Sequence, residues 1–113
     1  MPRKTADPRA ALGVLSARIL QALAHPIRIS LLRAIAECSH CQCELSRVLG
    51  KHPVDISRHL SVLIRAGLVE LEKKGTRTYP RLLVPEVMDL LAVAEHAARG
   101  VVRQQAYQAG RMG

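Results

Sequence analysis

The chain has 113 residues, enough for one domain, and 49% of them are apolar although Phe and Trp are absent and aromatics make up only 2%. A core made without large rings must come from Leu, Ile, Val and Ala, a composition that favours helices. Seventeen Lys and Arg against nine Asp and Glu leave a net charge of +8, so a polyanionic partner is expected, either nucleic acid or an anionic membrane face. No apolar run approaches the roughly 20 residues of a bilayer span, and the start Met1-Pro2-Arg3-Lys4 lacks the apolar stretch of a signal peptide. The expectation is a cytoplasmic protein that does not span a membrane.

Residues 1–7 read as a loose basic tail, with 8–113 as one domain. Leu12, Leu15, Ile19 and Leu23 recur at three- and four-residue steps, which predicts an amphipathic helix from Pro8 that stops at Ala24 or His25, before Pro26. Pro26 opens a second helix, PIRISLLRAIAE, whose Ile27, Leu31, Leu32 and Ile35 make a broad apolar face suited to the centre of a small core. The run CQCELSRVLG predicts a short third helix with Leu45, Val48 and Leu49 inward and Gly50 as its left-handed stop. Lys51 and His52 form a turn. A fourth helix opens at Pro53 and buries Ile56, Leu60, Leu63 and Ile64. From Leu68 the pattern alternates, and LVELEKK, Gly75 and TRTYPRL read as a hairpin that faces an open edge or ends at Pro80. A last helix runs from about Pro85 to Gln108 with Val87, Leu91, Ala94, Ala98 and Val101 on one stripe, and the tail GRMG is expected to fray.

Two short helices joined through Gly50, the second followed by a basic hairpin, give the order of a winged helix-turn-helix: five helices and a two-stranded β wing. In that arrangement the second helix of the pair enters the major groove and the hairpin lies along the backbone or minor groove. With Ile56, Leu60 and Leu63 inward, Val54, Asp55, Ser57, Arg58 and Ser61 point outward or flank the edge. Ser57 can serve phosphate or base, Arg58 can reach guanine or phosphate, and His59 can donate to the backbone. Lys73, Lys74, Arg77 and Arg81 make the hairpin cationic. The alternative is a solvated basic surface without a partner.

All three cysteines stand within Cys38–Cys43, directly ahead of this unit. Such a group is not the spread-out framework of a secreted disulfide protein, and in a reducing compartment it points to a metal or redox site. Cys41 and Cys43 are two apart, so on a regular helix they diverge and cannot close on one ion, whereas Cys38 and Cys41, three apart, can. Three thiolates suit As(III) or Sb(III) better than zinc, which wants four ligands; His40 as a fourth would admit Cd, Pb or Zn. Thiol oxidation and inert cysteines are the other readings. His25, His52 and His96 read as capping or solvated residues.

The runs LQALAHPIRISLLRAIAE, HCQCEL and DISRHLSVLIRAGLVELEKKGTRTYPRL resemble the ArsR/SmtB family of small dimeric repressors over residues 20–83. The SRHLxVLxxAGLV run and the Cys-x-Cys at the start of the third helix are its specific signals. The resemblance implies a winged-helix homodimer with its interface on helices at about 8–24 and 85–108. It also implies that binding of a metal or metalloid releases operator double-stranded DNA, and the residues that read as its ligands in this chain are Cys38, Cys41 and Cys43. Two departures stand out: Ser46 occupies the place of a third cysteine common in arsenic-responsive members, and those members lack a thiol at the place of Cys38. The last helix also lacks the Asp, His and Glu set of zinc-sensing members, since Ala106 and Tyr107 stand where partners for Glu95 and His96 would be needed. A small thiol enzyme would want a Cys-x-x-Cys beside a strand-helix-strand unit or a nucleophile with a base in a cleft, and neither is evident. A surface-binding last helix would want a basic face, but Glu86, Asp89 and Glu95 interrupt Arg99 and Arg103.

Overall fold

Two His-Pro pairs start the helices at the centre of the molecule. His25 and His52 are extended at the N-cap, and each Nδ1 accepts the backbone N–H two residues on, from Ile27 and Val54, at 3.1 Å. Pro26 and Pro53 follow at the first helical position, where the missing N–H is not needed. In the computed structural model, which describes residues 7–112, the element order is α1 Pro8–Leu23, α2 Pro26–Glu37, α3 Gln42–Leu49, α4 Pro53–Arg65, β1 Val69–Lys74, β2 Arg77–Leu82 and α5 Glu86–Met112. The expected tail at 1–7 lies outside the described residues except for Asp7, which belongs to the domain. Its carboxylate accepts the Arg9 N–H at 2.9 Å and caps α1.

Helix α2 is the hub, packed against α1, α3, α4, α5 and β2. Its Leu31 and Leu32 are fully buried with Leu45, Ile56, Leu60, Leu63, Leu68, Val69 and Val87, and each such side chain is worth about 2 kcal/mol of transfer free energy. Gly50 ends α3 in the left-handed region at φ 63°, and the Gly50 and Lys51 N–H groups close onto Arg47 and Ser46 carbonyls, as the sequence led one to expect. The hairpin is antiparallel, with Val69 opposite Leu82 and Lys74 opposite Arg77. It does not end at Pro80: that residue pairs with Leu71 inside β2 and is buried. A two-stranded sheet leaves every strand an edge, so a residue without an N–H costs no ladder bond there.

Three expectations are corrected. Val48 is exposed, because an eight-residue α3 covers only Leu45 fully and Leu49 in part. Leu12 and Leu15 are exposed, since α1 reaches the core only through its C-terminal part, with Ala22 and Leu23 buried and Ile19 packed partly against them. The tail does not fray at Gln108; α5 continues to Met112, and beyond Leu91 it lies clear of its own core, with Val93, Val101, Val102 and Tyr107 exposed.

Candidate functional site

Helix α4 presents its polar side to solvent as the periodicity requires. Val54, Ser57, Arg58 and Ser61 are exposed and Asp55 is half-buried, with its carboxylate 3.9 Å from the Arg58 guanidinium. At the wing tip Lys73, Lys74 and Arg77 are exposed around the Gly75-Thr76 turn, and among the described residues no carboxylate pairs with any of them. The Lys74 ammonium lies 5.5 Å from the centre of the Tyr79 ring, which fixes its direction. Arg81 differs: its Nε and Nη2 donate to one Glu70 oxygen at 2.9 and 2.5 Å across the hairpin, so its charge is already matched.

His59 is not part of the open face. It lies half-buried, with its ring 4.3 Å from that of His25 and its Nδ1 3.2 Å from Arg28 Nη1. Arginine has only donors, so Nδ1 accepts and Nε2 carries the imidazole hydrogen. Arg28 also donates to the carbonyls of Ala22 and Gln21 at the end of α1, at 2.5 and 3.1 Å. One guanidinium therefore ties α1, α2 and α4 together. Burial first, then the neighbouring His25 ring and the Arg28 guanidinium, holds the His59 pKa below the ordinary 6.5, although the Asp55 carboxylate acts the other way. The sequence offered His59 as a donor to the DNA backbone; its contact with α2 is set by Arg28, which no local pattern reveals.

The cysteines occupy the junction between α2 and α3. Cys38 is the C-cap of α2, exposed and free. Cys41 is the N-cap of α3, extended at φ −70° and ψ 158° and fully buried, and its sulfur is bonded to that of Cys43, which is exposed on the first turn. The expected divergence of Cys41 and Cys43 fails for a definite reason: only Cys43 is helical, and an N-cap side chain does not follow the helical wheel. Cys38 does not join them, and among the described residues no group of three His, Cys, Asp or Glu side chains converges as a metal ion would need. The Glu44 carboxylate accepts the Cys41 N–H at 3.0 Å, closing one side of a capping box around the sulfur pair.

Cys43 also lines a cleft of about 350 Å³ with Gln42, Pro53, Thr76, Arg77 and Thr78. Cys43 thus borders both the start of α4 and the wing tip. A short helix, a turn and a second helix with an open polar face, followed by a cationic hairpin, define a winged helix-turn-helix DNA-binding protein.

Comparison with known proteins places it more narrowly. The profile of the bacterial regulatory protein, arsR family, matches residues 25–70, from the N-cap of α2 into β1. An uncharacterised HTH-type transcriptional regulator of Methanocaldococcus jannaschii is 31% identical over 81 residues, 71% of this chain and 91% of the relative. Another from Mycobacterium tuberculosis is 36% identical over 81 residues, 71% of each chain. The homodimeric winged helix-turn-helix DNA-binding domain of a possible ArsR-family regulator from Mycobacterium bovis superposes with a TM-score of 0.73 at 30% identity, covering 87% of this chain and 91% of that one. The chain belongs to the ArsR family of transcriptional regulators. No single helix among the described residues is long and apolar enough to cross a membrane.

Proposed function

We propose that the protein is a cytoplasmic homodimeric repressor that holds operator double-stranded DNA through α4 and the wing, and that oxidation of Cys41 and Cys43 to a disulfide releases it. The observation that carries the switch is the direct bond between these two sulfurs at the start of α3, the helix that packs on α4. A coupling of about 1–3 kcal/mol between sulfur state and α4 placement changes operator affinity about 5- to 150-fold. Dimerisation is supported by the exposed apolar residues of α1 and α5, Leu12, Leu15, Leu20, Leu90 and Val93 among them. In a monomer these would form an apolar surface without a purpose.

A second reading takes As(III) or Sb(III), or alternatively Cd, Pb or Zn, as the inducer. It is favoured by the free, exposed thiol of Cys38 three residues from Cys41. The present arrangement does not bring three sulfurs together, so that reading requires Cys38 to turn toward the pair. Titrating peroxide, arsenite, antimonite, cadmium, lead and zinc into the protein–operator complex separates the two. Cys43→Ser should keep operator binding and lose release by peroxide, and Cys38→Ser should lose release only by the metalloid or metal. Release of a Cys41→Ser, Cys43→Ser double variant as readily as the parent would remove the sulfur switch.

A further inference from the structure

We propose that the cleft beside Cys43 is the docking site of a small anionic thiol or its disulfide, and that the Cys41–Cys43 pair exchanges with the small-thiol pool through a mixed disulfide on Cys43. The inference rests on reading this pair as the switch, and it names the chemical class that sets it. Three observations meet here. The two sulfurs are unequal: Cys41 is fully buried and Cys43 is exposed, so an incoming thiolate reaches one sulfur only. The space in front of Cys43, about 350 Å³, lies at the small end of the range that ligand pockets occupy. Its walls carry one cation, Arg77, together with the Thr76 and Thr78 hydroxyls and the Gln42 amide, and no acidic side chain. Arg77 is opposite Lys74 in the hairpin and has no carboxylate partner among the described residues, so the field at the cleft attracts a carboxylate.

The exchange balances as follows. A thiolate RS⁻ attacks Cys43 Sγ; the R–S–Sγ bond forms, the Cys43–Cys41 bond breaks, and the electron pair stays on Cys41 Sγ, which takes a proton from solvent. A second RS⁻ attacks the small-molecule sulfur of the mixed disulfide, forming RSSR and freeing the Cys43 thiolate. Two small thiols are oxidised and the protein disulfide is reduced to two thiols. In reverse, RSSR oxidises the pair, again with Cys43 as the first sulfur to react.

The test uses the full chain carrying Cys38→Ser, so that only the pair reports. With Cys41→Ser added, glutathione disulfide, which is anionic, should leave a lasting mixed disulfide on Cys43, located by intact mass and peptide mapping. With Cys43→Ser instead, the buried Cys41 should stay unmodified. Arg77→Gln should slow the glutathione reaction by about tenfold, the worth of one charge-assisted hydrogen bond. The same substitution should leave the reaction with cystamine, a cationic disulfide, unchanged or faster. Adduct on Cys41, or equal effects of Arg77→Gln on both reagents, would overturn the docking site. The functional reading fails separately, by an adduct that forms on Cys43 as described while peroxide leaves operator affinity unchanged.

Discussion

Replacing Arg77 with alanine should flatten the salt dependence of operator binding, by an amount that counterion release sets. Arg77 is exposed at the wing tip without a carboxylate partner among the described residues, so its charge is available to a phosphate. A dimer brings two wings, and at about 0.9 per phosphate the slope of log K against log salt should fall by about 1.8. Between about 50 and 200 mM salt, a change of about 0.6 in log salt, the parent should lose about one decade of affinity more than the variant. Arg81 supplies the internal control, because its guanidinium is already held by Glu70. Arg81→Ala should change the slope by well under half as much. Fluorescence anisotropy of a labelled operator over a salt series measures both. An Arg77→Ala slope equal to that of the parent, or an Arg81→Ala effect as large as that of Arg77→Ala, would take the wing tip out of the interface.

Val93 is 67% exposed whereas Leu91 is buried in the protomer's own core, so the two neighbours should report different things. Val93→Glu should give a folded monomer in sedimentation that loses the operator, while Leu91→Ala should cost about 2–4 kcal/mol in denaturant unfolding. A Val93→Glu variant that stays dimeric would place the interface elsewhere. The His59 imidazole, held below 6.5 by burial and by His25 and Arg28, binds fewer protons folded than unfolded. Its contribution to stability is therefore present above about pH 6.5 and lost as pH falls through the lower folded value. His59→Gln, which keeps an acceptor for Arg28, should shrink that acid loss; Asp55 and Arg58, which also face the ring, stay in place. Parallel curves for parent and variant would refute the assignment.

The helices and wing were legible because local chemistry specifies them: His-Pro starts for α2 and α4, the Gly50 stop, and the change from helical spacing to alternation after Gly67. The reach of each helix into the core was not. Leu12 and Leu15 keep the period of a buried stripe, yet α1 meets its own core only at its end, so a pattern made to be covered says nothing about which chain covers it. The exposed positions of α4 followed from the stripe of Ile56, Leu60 and Leu63, but the contact of His59 with Arg28 crosses 31 residues of sequence and has no local signature. The sulfur geometry was misread by one residue of helix boundary. Counting Cys41 as helical makes the pair diverge; as an N-cap it turns toward Cys43.

That one-residue boundary is also what makes the sulfurs suited to control α4. A bond between two helical residues would only stiffen a turn already held by its backbone ladder. A bond from the N-cap to the first turn acts on the entry of the chain into α3, where the Glu44 carboxylate and the Cys41 N–H complete the cap. From there α3 has one fully buried anchor, Leu45, in the cluster that holds Ile56 and Leu60 of α4. A small helix with a single deep anchor pivots more readily than α2, whose Leu31 and Leu32 are both locked. In the switch proposed above, a change at the sulfurs would act first on the packing of α3 against α4, while Arg28 ties α4 to α2 and the end of α1. On that proposal α4 is held on one side through Arg28 and on the other meets α3, the helix that begins at Cys41 and carries Cys43.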